Sequence, residues 1–260
     1  VSTPVYAGIR TGEAVEAVLD AIDWPADKRD IDTGATHISW WWEEDTDAFT
    51  ALERIVNSEG PPAMFTVGVN GELIFRDRHH RLLRPRSTTS QVTFRDSGTE
   101  PLLSKPFTYN AGFREVVNTV TFNVDERTPR SFDVVWSTDD TVAVTAGTPL
   151  QITASSTDPF IEAQTPAAAN SDFEVLSGSV SVSLSRTSGQ STTITLTSAA
   201  GAVLSGLRLR ARPVRVARTV KVESIDSASV TDHGPRRYDE EAPWMGRRDA
   251  ASIGQLILNQ

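Results

Sequence analysis

The sequence predicts an α+β fold on three observations. Apolar residues recur with helical spacing only near the two ends of the chain. An Asn-Gly pair marks a β-hairpin after the second helical segment, and from about residue 90 onward short two-residue alternations replace the helical period. These features place a mixed α/β domain with two amphipathic helices and a hairpin at residues 1–125. A β-rich barrel- or sandwich-like domain follows at 126–235, then a loop and C-terminal helix at 236–260. A chain of 260 residues, 38% of them apolar, has material for one large core or two medium ones, and two are expected.

The first helix is read from "TGEAVEAVLDAIDWP", where Val15, Val18, Leu19 and Ile22 fall on one face, Thr11 serves as N-cap and Pro25 lies beyond the end. The second, in "DTDAFTALERIVNSEG", has Ala48, Phe49, Leu52, Ile55 and Val56 on its apolar side, Asp45 or Asp47 as cap and Gly60 as stop. Between them Thr36 to Trp42 is β-branched and aromatic without helical spacing, hence a strand. On it Trp40 and Trp42 share one face, expected to pack on a helix, and Trp41 points the other way.

In "AMFTVGVNGELIFRDR" the Asn70-Gly71 pair supplies the positive φ angles of a two-residue turn. Phe65, Val67 and Val69 alternate on the first strand, Leu73 and Phe75 on the second. The residues after Phe75 extend that strand. Consecutive strand residues diverge, so His79 and His80 are read as a polar strand end, not as a metal pair. Beyond residue 90, "QVTFRD", "EVVNTVTFNV", "SFDVVW", "TVAVTAG" and "LQITASS" are short strands. "SRTSGQST" closes a hairpin that sets Val180, Val182 and Leu184 opposite Ile194 and Leu196. The last helix carries Ala251, Ile253, Leu256 and Ile257, a stripe expected to need further sequence or a partner to cover it.

The absence of cysteine excludes disulfides, thiol catalysis and thiolate metal sites. No apolar run is long enough to span a membrane, and the first residues lack the charged-then-apolar order of a signal peptide. Beginning at Val1 instead of Met, the chain is expected to be processed or cut from a longer polypeptide. Residues 1–60 hold 13 Asp/Glu against 4 Lys/Arg, so that segment alone accounts for the net charge of -9. Such an acidic face repels nucleic acid.

Trp40 to Trp42 followed by Glu43, Glu44 and Asp45 has the residue types of a sugar site. Glycoside hydrolysis, however, needs two carboxyls about 5 to 9.5 Å apart across the sugar, which adjacent positions do not supply. The acids, with Asp47, instead favour the positive N-terminus of the second helix, and Trp41 is assigned to a subunit interface. Arg208, Arg210 and Arg212 recur at period two, with Arg215, Arg218 and Lys221 following. No aromatic residues interleave to stack bases, so this stripe is read as the solvent- or subunit-facing side of a strand. No phosphate-binding glycine loop, H-E-x-x-H or G-x-S-x-G occurs. No catalytic residue, metal or cofactor is therefore assigned, and the chain is expected not to be an enzyme.

Taken in order, "DIDTG", the tryptophan strand, "ALERIVNSEG", "GELIFRDR", "NTVTF", a Ser/Thr-rich β region and the terminal "PWMGRRDAASIGQLIL" helix resemble a known family. It is the tail-tip or baseplate hub (minor tail) proteins of long-tailed bacteriophages and prophages, with an acidic, Arg-over-Lys composition that suits an actinobacterial host. The resemblance implies a structural ring, expected to be a trimer, that joins the tail tube to the distal tip of the virion. Such a ring is assembled in the host cytoplasm, contacts neighbouring tail proteins, and lets tape-measure protein and DNA pass without catalysis. A complete member would carry a further β domain before Val1. In such a ring Arg208, Arg210, Arg212 and Trp41 would meet a neighbouring copy, and Glu43, Glu44, Asp45 and Asp47 would border the passage. The alternative is a carbohydrate-binding or carbohydrate-cleaving module of a tail tip, acting through Trp40–Trp42 and the nearby acids.

Overall fold

The computed structural model describes residues 1–83, 85–93, 116–241 and 244–258, and its fold is α+β. Strand β1 (Tyr6–Arg10) runs straight into helix α1 (Thr11–Ala21), whose first turn is fixed when the Arg10 backbone N–H donates to Glu13 Oε2 at 2.7 Å. Thr11 is thus the first helical residue and not the cap; its hydroxyl is drawn off to Glu59. Ala14, Val15, Val18 and Leu19 form the buried face. Gly12 lets α1 begin against the loop at 32–33, since a Cβ there would lie 2.1 Å from the Asp32 carbonyl oxygen.

After β2 (Arg29–Ile31) and β3 (His37–Trp41), helix α2 (Ala48–Glu59) starts at Asp47, whose carboxylate accepts the Thr50 N–H at 2.8 Å, and stops at Gly60 with φ +81°. Ala51, Leu52 and Ile55 are buried, while Phe49 is 59% exposed and stacks edge-on to Phe65. β3 pairs antiparallel with β1; β4 (Met64–Val67) and β5 (Leu73–Arg76) form the expected hairpin, with β2 parallel to β5. Leu73 and Phe75 are buried as their alternation predicts. The connection is wider than a two-residue turn: Gly68 N–H donates to the Glu72 carbonyl at 2.7 Å, and Val69, expected within the first strand, is 101% exposed at the tip. β5 ends at Arg76. A turn closed by His80 N–H on the Asp77 carbonyl then starts α3 (His80–Leu83), so the predicted strand extension through the histidines does not form; α4 (Pro85–Thr88) follows. The strand expected at 91–96 falls partly outside the described residues, and 91–93 are irregular.

From β6 (Thr119–Pro129) the chain passes through β7 (Asp133–Ser137), β8 (Thr141–Val144), β9 (Leu150–Ser155), β10 (Phe160–Gln164), β11 (Glu174–Gly178), β12 (Ser181–Arg186), β13 (Ser191–Thr197) and β14 (Ala202–Ser205). It returns along the 18-residue β15 (Arg208–Ile225). β15 pairs antiparallel with β6 from Val214↔Pro129 to Ile225↔Thr119, while its first half is flanked by β7 and β10. Two further three-stranded sheets, β11-β14-β8 and β12-β13-β9, contribute Val144, Ala154, Ile194, Leu196 and Leu204 to one core with Phe160 and Leu209. The predicted pairs Val182↔Leu196 and Leu184↔Ile194 are present. None of these sheets closes into a barrel among the described residues.

α5 (Ser227–His233) leads to β16 (Arg237–Glu241), which joins β6 in parallel, and α6 (Arg247–Leu258) lies on β6 and β15. Ala250 and Ile253 are buried there with Val120, Phe122, Val124 and Met245. The stripe expected to await a partner is thus covered by the chain's own strands, although Ala251 itself is exposed. The hydrophobic clusters do not follow linear order: one is built from the first 75 residues and Trp244, one from 135–211, and one from the ends of β6 and β15 with α6. The turn between β12 and β13 bridges the first two. Ser188 donates its hydroxyl to Glu44 at 2.8 Å, and a Cβ on Gly189 would lie 3.0 Å from Trp42 Cβ.

Candidate functional site

The strand of tryptophans orders its rings differently from the expectation. Trp41, assigned to an interface, has 0% exposure and packs with Tyr6 at 5.7 Å between ring centroids, so it cannot meet a neighbouring chain. The β1–β3 register is unbroken, with Ile9 opposite Ile38, Ala7 opposite Trp40 and Tyr6 opposite Trp41, so Ile38 and Trp41, both buried, lie on opposite faces of the strand. Trp40 is half-buried, and Trp42, just past the strand, meets Trp244 edge-on at 4.9 Å.

The acids after the tryptophans do not form one face. Glu43 is 2% exposed and bonded to Arg54 at 3.0 Å, which removes it from any channel wall, and Glu44 is engaged by Ser188. Asp45 and Asp47 alone stay exposed, the latter as the cap of α2.

The arginine stripe is likewise tied off within the chain. Arg210 bonds the buried Asp172 at 2.7 Å, Arg212 bonds Glu162 at 3.1 Å, Arg215 bonds Asp158 at 2.6 Å and Arg218 bonds Glu126 at 2.5 Å. Arg208 is exposed and has no side-chain partner among the described residues.

His80 Nδ1 lies 2.7 Å from Asp32 Oδ2, while His79 is exposed. Among the described residues no three His, Asp or Glu side chains gather as a metal site. An open groove of about 530 Å³ brings His37 and His79 near Asp249 and Ser252, and no hydrogen bond among the described residues joins either ring to the serine.

A further constellation lies between β3 and β6, where Trp40, Asp125, Glu126, Arg127, Trp244 and Arg247 bound a cavity of about 300 Å³. Arg127 holds it together. Its guanidinium sits 4.9 Å from the Trp244 ring centroid and 5.5 Å from that of Trp42, and it bonds Asp125 at 2.9 Å. Burial pushes the Arg127 pKa down against the pull of Asp125, and an arginine nonetheless keeps its charge in a protein. The hydrogen bond from Arg218 holds the Glu126 carboxyl below the usual range. No protein-family model matches the chain, and neither a curated protein nor a solved structure is found to be similar to it.

Sequence reasoning selected Trp40 but missed Asp125, Glu126, Arg127 and Trp244. The available signal was the charged triplet that interrupts the apolar alternation of "TVTFNVDER". Nothing local links it to a tryptophan more than a hundred residues further on.

Glu43 supplies a test of its burial. Desolvation raises its pKa, with Thr46 and Arg54 pulling the other way. A carboxyl whose folded pKa exceeds its unfolded value binds its proton more tightly when folded. Its contribution is therefore greatest below the unfolded pKa and is lost as pH rises through the folded one. Glu43→Gln cannot ionise. The difference in urea-unfolding free energy between variant and wild type is expected to move in the variant's favour as pH rises from about 4; curves that stay parallel would contradict a buried, ionising Glu43.

Proposed function

We propose that the chain is a structural component of a phage tail-tip or baseplate hub, part of a ring that joins the tail tube to the distal tip and lets DNA pass. The reading is non-catalytic. One observation supports it best: the charges are spent on bracing. Ion pairs from Arg210 to Arg218 lock the long β15 to its surroundings, and this strand ties together units that each have their own core. In the finer reading the β-rich domain at 126–235 is sandwich-like, its two three-stranded sheets sharing one core.

Such a braced piece needs surfaces for neighbours, and its sheets end in open edges. β11 is exposed along its length, with Val175 and Leu176 outward, and Val175, Phe173 and Arg208 line one open groove of about 520 Å³. Arg208 is the arginine left to meet a neighbouring copy, and Asp45 and Asp47 are the acids left to border a passage that must not bind phosphate. Neighbouring tail proteins would be further contacts, with tape-measure protein and DNA in transit only. No helix among the described residues is long and apolar enough to cross a membrane.

The clean probe is Arg208→Glu, because reversing Arg210 or Arg212 would also break pairs inside the chain. In phage particles or reconstituted tips viewed by electron microscopy, the variant is expected to lower ring occupancy at the tail tip at least tenfold while the isolated chain folds normally. Rings of unchanged number and position would remove Arg208 from the interface. Labelled chain found away from the tail end would remove the hub reading altogether.

A further inference from the structure

We infer that the cavity between β3 and β6 is a saccharide site that takes one pyranose ring. This does not rest on the hub reading; its residues were not assembled by any sequence motif. The volume of about 300 Å³ lies at the lower end of small-ligand cavities, which suits a single ring better than a peptide or nucleotide.

Its walls have two characters. Trp40, half-buried, offers aromatic surface for the apolar C–H face of a sugar, and Trp244, buried beneath the Arg127 guanidinium, forms the apolar floor. Asp125, Glu126, Arg127 and Arg247 offer acceptors and forked donors for hydroxyl groups, each of which both gives and takes a hydrogen bond. The charges decide the ligand class. The lining holds two carboxylates and two guanidinium groups, and both carboxylates are already ion-paired, Asp125 with Arg127 and Glu126 with Arg218 behind the wall, so neither is an unneutralised charge that would select a cation. A neutral polyol finds only partners. Preorganisation favours the same conclusion: Arg127 is clamped between Trp42, Trp244 and Asp125, and Glu126 is held by Arg218, so few side chains need ordering on binding. One feature of the wall remains costly without a ligand-bound rearrangement, because the Trp244 indole N–H is buried with no acceptor among the described residues.

The experiment uses the full chain with ¹⁵N-labelled indoles, which give one N–H signal for each of its 6 tryptophans. Trp40→Phe and Trp244→Phe keep a ring in place and assign two of these signals. The probes are methyl glucoside, methyl galactoside, methyl mannoside and N-acetylglucosamine, each titrated separately, with sodium sulfate as the anion control. At least one sugar is expected to shift the Trp40 and Trp244 signals saturably, with a dissociation constant on the order of millimolar. Asp125→Asn and Trp40→Ala are each expected to weaken that binding about tenfold, a loss of about 1.4 kcal/mol. No shift with any sugar overturns the proposal, as do shifts produced by sulfate alone or sugar binding that survives both substitutions unchanged. Should Trp40→Ala not fold, Asp125→Asn carries the same decision.

Discussion

Replacing Glu59 by Leu is expected to cost about 3 to 5 kcal/mol, seen as a marked drop in the urea midpoint of unfolding. Glu59 closes α2 and is fully buried, yet its carboxylate is crowded with donors: the Thr11 hydroxyl at 2.6 Å, Thr36 N–H at 2.8 Å and Ala35 N–H at 3.1 Å. Arg78, itself buried, adds its backbone N–H at 3.3 Å and its guanidinium at 3.4 Å, and also grips the Glu59 carbonyl at 2.8 Å. One side chain therefore ties the start of α1, the loop before β3, the end of α2 and the exit of β5, and Asp249 of α6 lies 3.5 Å from the same arginine. Leucine would fill much of the space but leave the Thr11 hydroxyl and the Ala35, Thr36 and Arg78 N–H groups without their acceptor and take from the buried Arg78 one of its two carboxylates, and that loss is what makes the change expensive. Glu59→Gln, which keeps one acceptor and no charge, should fall between. A midpoint unchanged by Glu59→Leu would mean that this network contributes nothing to holding the elements together.

The fold was legible where a short window contains the whole signal. α1, α2 and α6 announce themselves by three-four spacing, and the β12–β13 register follows from matching Val182 and Leu184 with Leu196 and Ile194 across a Ser-Gly turn. Local reasoning failed where tertiary partners overrode it. Thr11 has the residue type of a cap, but Glu59, 48 residues away, claims its hydroxyl. Val69 keeps the alternation of its strand, but the chain leaves the sheet at Gly68 and sends it into solvent.

The candidate site was less legible for the same reason. The period-two arginines were visible, but their acids lie 38 residues away for Arg210 and 92 for Arg218, so the stripe read as an unfilled surface when it is largely filled. Acids were sought next to the tryptophans in sequence. The ones brought beside Trp40 come instead from β6, because β6 and the segment before α6 converge on β3 only in three dimensions. Periodicity fixes which residues share a face; it does not say what faces them.

Trp41→Ala is expected to cost about 3 to 5 kcal/mol, the range for truncating a buried large aromatic, while Trp40→Ala and Trp42→Ala each cost less. The order follows from burial. Trp41 lies wholly within the cluster of Val15, Leu19, Ile38, Leu52 and Phe75, where nothing mobile can move into the space an alanine leaves. Trp40 and Trp42 keep a solvent-facing side, and part of what they lose on truncation is regained by hydration. A finer comparison separates packing from hydrogen bonding. The Trp41 indole N–H is buried without an acceptor among the described residues, so no hydrogen bond is lost with it. Trp41→Phe removes that orphaned donor along with part of the ring volume, and the relief opposes the smaller cavity it creates. Thermal midpoints should therefore rank wild type and Trp41→Phe close together and Trp41→Ala far below. Equal midpoints for all three alanine variants would place Trp41 outside the core, and a Phe variant as unstable as the alanine one would mean that the N–H is satisfied after all.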